Sequence, residues 1–264
     1  MTPETLAAAG LRYEVDGAVA TITLDRPTSR NSQTPTMWRT LAALGEEIPD
    51  EVRVVVLQGE GTTFSAGLDR NLLTPGGGGG QESVADLLSL PDDEISATIR
   101  SYQDGFVWLQ DPRFVSIAKV RGYAIGAGFQ LALACDLRVI ADDVQFCMKE
   151  AALGLVPDLA GTKPLVEAVG YARALEICAT ARMVGASEAV TIGLALTAVP
   201  EAELDGAVAD LVVALTAPLP GAVRETKALL VGAAGRELDE QCRLEREAQA
   251  RRFRELAALV TPAP

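Results

Sequence analysis

An α/β core followed by an all-helical tail is the fold class this sequence predicts, on three observations. Short apolar runs rich in β-branched residues alternate with helical periodicities through the first two-thirds of the 264 residues, and strand-like runs stop in the last third. Nearly half the residues are apolar (48%), enough for a large buried core. Residues 115–158 then place a strand, a glycine turn, a helix and a second strand in one stretch, around which the rest of the chain is organised.

Taken in order, residues 11–15 and 19–24 read as strands joined by Asp16-Gly17, a hairpin signal. Asp25-Arg26-Pro27 ends the second. A helix can start at Thr34-Pro35, since proline is tolerated in a first turn, and Met37, Leu41 and Leu44 share one of its faces. Residues 52–57 read as a strand, and Phe64-Ser65-Ala66-Gly67-Leu68-Asp69 as a further strand end with glycine. Pro75 and the run Gly76 to Gly80 read as a mobile surface loop, with a lid over a pocket as the sharper alternative. Helices over 84–90 and 95–109 put Phe106 and Trp108 in the core. In the central stretch, 115–120 is a strand broken by Gly122 and Gly126, 130–135 a compact helix and 137–140 another strand. Beyond it helices are expected over 162–169, 172–180, 186–192, 204–215, 223–233 and 237–259. The 204–215 helix is amphipathic, and the Arg- and Glu-rich last helix reads as a solvated face.

The composition excludes much. There is no histidine, which removes Ser-His-Asp and Cys-His catalysis and imidazole metal sites together. Acid–base chemistry must use carboxylates, lysine, tyrosine or cysteine. A net charge of −13 argues against nucleic acid or an anionic membrane as partner. Cys135, Cys147, Cys178 and Cys242 are widely spaced, which reads as reduced thiols rather than disulfides or zinc ligands. No apolar run approaches the roughly 20 residues of a membrane span, and the first residues lack a basic, then apolar leader pattern; a cytoplasmic protein is expected.

Two features carry chemistry. A glycine turn feeding a helix, as at Gly126-Ala127-Gly128, aims several backbone N–H groups at one spot with the positive end of the helix dipole behind them, which suits an anionic oxygen. The same glycines would serve a plain tight turn. Glu150 stands in KEAALGLVPD among apolar residues, where burial would raise its pKa toward neutrality. Asp158 follows past Gly154 and Pro157, so the two acids cannot share one uninterrupted helix. A turn between them can set both carboxyls about one ligand. Equally, Glu150 can pair with an arginine and Asp158 can cap a following helix.

The segments FSAGLD, AIGAGFQLALACDLRVIA, KEAALGLVPDLAGT and GYARALEI, in this order and spacing, resemble the enoyl-CoA hydratase/isomerase (crotonase) superfamily, over about residues 19–196. The resemblance implies a spiral of ββα units over residues 1–196 and a helical C-terminal region over 197–264 that assembles trimers or dimers of trimers. It implies an acyl-CoA thioester substrate, coenzyme A being part of that substrate, with no metal or redox cofactor. Carried over by motif, the backbone N–H groups of Leu68 and Ala127 form the oxyanion hole, and Arg26, Arg30, Ala66 and Asp69 lie where coenzyme A is contacted. Hydratases of the family use two glutamates to orient and split water. Here the second is Glu150, but the first position holds Gln130, an amide that can hold a water yet exchanges no proton at neutral pH. Asp158 falls where dienoyl-CoA isomerases carry their second acid–base carboxylate. The nucleophilic aspartate of 4-chlorobenzoyl-CoA dehalogenases also falls there, but those enzymes have tryptophan at the Glu150 position. The resemblance therefore implies an isomerase that moves a double bond, with Glu150 as principal base, Asp158 as second acid–base group and Gln130 as a positioning residue. Water addition by Glu150 alone, and acyl-CoA binding without catalysis, are the alternatives.

Overall fold

The computed structural model describes residues 1–74, 78 and 80–260. A short helix α1 (Pro3–Ala8) leads into the hairpin β1 (Leu11–Asp16) and β2 (Val19–Leu24), whose antiparallel register runs from Leu11 opposite Leu24 to Asp16 opposite Val19, with Gly17 in the left-handed region the turn demands. Helix α2 (Pro35–Glu47) is capped by the Thr34 hydroxyl, which accepts from the Met37 N–H, and leads to β3 (Val54–Gly59). Helices α3 (Val84–Leu87) and α4 (Asp92–Val107) precede the central stretch, β4 (Val115–Val120), β5 (Tyr123–Ile125), α5 (Ala127–Ala134), β6 (Leu137–Ala141) and β7 (Gln145–Cys147). Then come α6 (Thr162–Val169), α7 (Tyr171–Thr180), β8 (Val184–Gly185), α8 (Ala186–Thr191), β9 (Thr197–Val199), α9 (Leu204–Thr216), α10 (Pro220–Leu230) and α11 (Leu238–Val260).

The strands form two sheets, one ordered β1-β2-β3-β4-β6-β9 and the other β5-β7-β8. Among the described residues, the β1–β2 and β7–β8 pairs are antiparallel and the other strand pairs parallel. The parallel strands β3 and β4 are buried on both faces, which is why Val54 to Leu57 and Val115 to Ala118 read as near-continuous apolar runs. Helix α4 lies close across α2 because Gly105 sits against the Trp38 carbonyl with no room for a Cβ. Trp38 then packs its ring against Tyr102 (centroids 5.0 Å apart) and Phe106 (6.2 Å).

Three expectations are corrected. Residues 64–69 form no strand; they make only the isolated bridges Ser65 to Ala124 and Gln33 to Leu68. The second sheet was not anticipated, since strands of two or three residues are too short to show a period. The expected boundary after residue 196 precedes β9, which completes the large sheet, so the wholly helical part starts at Glu201. Of the glycine run, Gly76, Gly77 and Gly79 lie outside the described residues, as does Pro75. Among the described residues no single helix is long and apolar enough to cross a membrane.

The helical tail is tied to the core by a buried cation. Lys227 of α10 donates to the Phe114 carbonyl at 2.8 Å and to Asp136 Oδ2 at 2.7 Å, and that same carboxyl oxygen accepts from the Ser116 N–H and hydroxyl. Removing one member of such a pair leaves the other charge buried and alone. Lys227→Met is expected to lower stability by about 3 kcal/mol, read as a fall in denaturation midpoint.

Candidate active site

The site lies where the two sheets meet. A parallel bridge joins Ser65 to Ala124, and a second joins Gln33 to Leu68. In the second bridge Gln33 bonds the residues flanking Leu68: its N–H donates to the Gly67 carbonyl (2.7 Å) and its own carbonyl accepts from the Asp69 N–H (2.9 Å). Leu68 is therefore the residue whose N–H must point the other way, off the ladder. Gly67, at φ +86°, sits so close to the Ile125 carbonyl that a Cβ would collide with it, and that Cβ would lie 3.5 Å from the Ala127 nitrogen. Ala127 is the first residue of α5, so its N–H has no partner within the helix. Gly67, the residue before Leu68, is thus packed against the turn that opens α5, whose positive end lies behind the Ala127 amide.

A polar network that sequence reasoning missed holds this arrangement. Gln33 donates through Nε2 to Ser65 Oγ (3.0 Å) and accepts at Oε1 from Trp38 Nε1 (2.8 Å). Ser65 Oγ donates to the Asn31 carbonyl (2.7 Å) and accepts from the Gly67 N–H (3.2 Å). Gln33 and Ser65 are fully buried with a partner on every side-chain polar atom, so the Leu68 loop has little freedom. No spacing signals this, because the partners meet only in three dimensions.

Glu150 follows β7, whose end is locked to the glycine turn by the Gly126 N–H donating to the Cys147 carbonyl (2.8 Å). Gly126 has φ +51°, and a Cβ there would stand 3.3 Å from Glu150 Oε1, so the acid lies against the turn that carries the Ala127 amide. Glu150 is 8% exposed. Gln130, on α5, donates from Nε2 to Glu150 Oε1 (2.7 Å), while its Oε1 accepts from the backbone N–H groups of Leu159 (2.8 Å) and Gly161 (3.3 Å). Those two donors fix which end of the amide is oxygen. Glu150 Oε2 is buried and, among the described residues, has no hydrogen-bond partner.

Burial raises the Glu150 carboxyl above the ordinary glutamate range, and the charge of Asp158 adds to the rise; its own backbone amide and Gln130 pull the other way. Burial also raises the Asp158 carboxyl. Gln130 touches Glu150 directly, and Asp158 lies near enough for its charge to act on Glu150. Asp158 caps nothing: the residue before α6 is Gly161. Among the described residues Glu150 has no arginine partner.

The residues expected at coenzyme A divide. Arg26 and Asp69 pair with each other at 2.8 Å, and Arg26 also donates to the Ser32 carbonyl (2.6 Å) and hydroxyl (3.1 Å), so much of its guanidinium is engaged. The pair borders a polar cleft of about 210 Å³ that Thr34, Asn71, Leu72, Gly78 and Gln81 also line. Arg30 is exposed in a left-handed turn, and its carbonyl accepts from the Ala66 N–H. Among the described residues no group of three or more His, Cys, Asp or Glu side chains is placed to hold a metal ion.

Known proteins resemble the chain over most of its length. The curated peroxisomal Δ(3,5)-Δ(2,4)-dienoyl-CoA isomerase of Arabidopsis thaliana is 31% identical over 226 residues, covering 84% of this chain and 80% of that protein. Among solved structures, a Thermobifida fusca YX protein described as an enoyl-CoA hydratase, in complex with CoA, superposes with a TM-score of 0.93 at 51% identity, covering 98% of each chain. The same protein with acetoacetyl-CoA gives 0.93 at 52%, covering 96% of this chain and 98% of that one. The family model for enoyl-CoA hydratase/isomerase matches residues 14–258. The chain belongs to the enoyl-CoA hydratase/isomerase family, with its crotonase fold.

Proposed function

We propose that the protein binds an acyl-CoA thioester and shifts a carbon–carbon double bond of an enoyl or dienoyl chain through an enolate. The observation that carries this reading is the identity of the groups around Glu150: an amide at Gln130 and a second, half-buried carboxyl at Asp158. The thioester oxygen accepts from the Leu68 and Ala127 amides. Glu150 Oε2 takes a proton from carbon, and the electron pair left behind passes into the enolate, whose charge the two amides stabilise by about 3 kcal/mol each. Protonated Asp158 then gives a proton to a carbon further along, and the double bond reforms in its new position. No electrons are gained or lost. Afterwards Glu150 holds a proton that Asp158 lacks, and exchange with solvent restores the pair.

This cycle needs one carboxyl ionised and the other protonated, and the raised proton affinity of both suits it. The turnover rate is expected to be bell-shaped in pH, falling on the acid side as Glu150 is protonated and on the alkaline side as Asp158 ionises. Both limbs are expected above the ordinary carboxylate range. Water addition is the second reading, favoured by the description of the Thermobifida fusca relative. NMR of a 3,5-dienoyl-CoA with the protein in deuterated water separates the two. A conjugated 2,4-dienoyl product with deuterium gained at carbon supports the isomerase. Unchanged dienoyl-CoA alongside hydration of a 2-enoyl-CoA would replace it with the hydratase.

A further inference from the structure

The peptide group between Asp158 and Leu159 is held at both ends by side chains from different helices. Its carbonyl, that of Asp158, accepts from Gln103 Nε2 of α4 at 2.7 Å. Its N–H, that of Leu159, donates to Gln130 Oε1 of α5 at 2.8 Å. Two hydrogen bonds on opposite edges fix the plane of a peptide, and with it the position of the Asp158 Cα from which the carboxyl is carried. The next residue shows that the clamp works against a backbone preference. Ala160 has φ +62°, a left-handed conformation that costs a non-glycine residue about 1–2 kcal/mol and persists only where its surroundings impose it. The following N–H, of Gly161, is also taken by Gln130 (3.3 Å), and a Cβ on Gly161 would lie 2.6 Å from Gln130 Cγ. Gln130 in turn donates to Glu150 Oε1, so an unbroken line of hydrogen bonds runs from Gln103 through this peptide and Gln130 to the other acid.

We propose that Gln103 is a positioning residue for Asp158, acting with Gln130 as a two-sided clamp that sets where the second carboxyl stands relative to the first. The proposal rests on the two-carboxylate reading, in which a misplacement of about 1 Å costs on the order of a hundredfold in a proton-transfer step. Gln103 is half-buried on the helix surface, so its replacement is tolerated by the fold.

Gln103→Leu keeps the volume and removes the donor. Gln103→Glu keeps the shape and donates only when protonated. Two readouts are taken on the full-length protein. One is the ratio of double-bond shift, which needs Asp158, to deuterium exchange at the carbon Glu150 serves, which does not. The other is amide hydrogen exchange at Leu159, which needs no turnover. In Gln103→Leu the ratio is expected to fall about tenfold and the Leu159 amide to exchange at least tenfold faster. Gln103→Glu should recover toward the wild-type ratio, compared at each pH, as pH is lowered. A parallel loss of shift and exchange, or unchanged Leu159 protection, would overturn the clamp. A wild-type protein that exchanges but never shifts would overturn the two-carboxylate reading instead, and Leu159 protection alone then decides the clamp.

Discussion

Glu150→Gln is expected to reduce turnover about a thousandfold, within the range a general base supplies, while acyl-CoA binding changes only a few-fold. The substitution is close to isosteric, and the hydrogen bond from Gln130 Nε2 can still be accepted by the new carbonyl. Its effect on stability should have the opposite sign to its effect on rate. A carboxyl whose folded pKa lies above its unfolded value contributes stability below the unfolded pKa and loses it as pH rises through the folded one. Above that folded pKa the buried carboxylate is therefore a net cost that the amide removes. Thermal melting of Glu150→Gln should match or exceed wild type at neutral pH, with the advantage vanishing in acid. Unchanged turnover in this variant would exclude Glu150 as the base.

Gly67→Ala should be nearly as damaging, for a different reason. The position has φ +86°, and an added Cβ runs into the Ile125 carbonyl oxygen, part of the backbone leading to Ala127. Neither the Leu68 loop nor the glycine turn can yield without moving its amide. Loss of one correctly aimed oxyanion donor lowers rate by about a hundredfold or more. Gly17→Ala is the control, since Gly17 has φ +54° with nothing within 4 Å of a Cβ. That variant should cost only the backbone penalty of about 1 kcal/mol in stability and nothing in rate. Equal rates for wild type and Gly67→Ala would show that the two turns do not form one hole.

The contrast between legible and hidden parts follows from range. The hairpin at Asp16-Gly17, the Thr34-Pro35 helix start and the buried strands β3 and β4 were readable because each is specified within about ten residues. The acids and glycine turns were readable as types at a spacing. What escaped was held by contacts between distant segments. Residues 64–69 look like a strand end, but their hydrogen bonds go to Gln33, Asn31 and Tyr123, which leaves an irregular loop that frees the Leu68 amide. Gln103 sits in an ordinary amphipathic helix, and nothing local marks it as the partner of a carbonyl 55 positions on.

Gln130 also says something about how such a site can change over generations. A glutamine codon becomes a glutamate codon by a single nucleotide substitution. The acceptor half of the side chain, which holds the Leu159 and Gly161 amides, would survive that substitution, because a carboxylate oxygen accepts the same two bonds. Only the half facing Glu150 at 2.7 Å would differ, and there two carboxyls would have to share a proton. The scaffold is thus insulated from a swap that rewrites the acid–base pattern. Lineages can cross between an amide-supported and a paired-acid centre in one mutational step, at the cost of a proton the two acids must share.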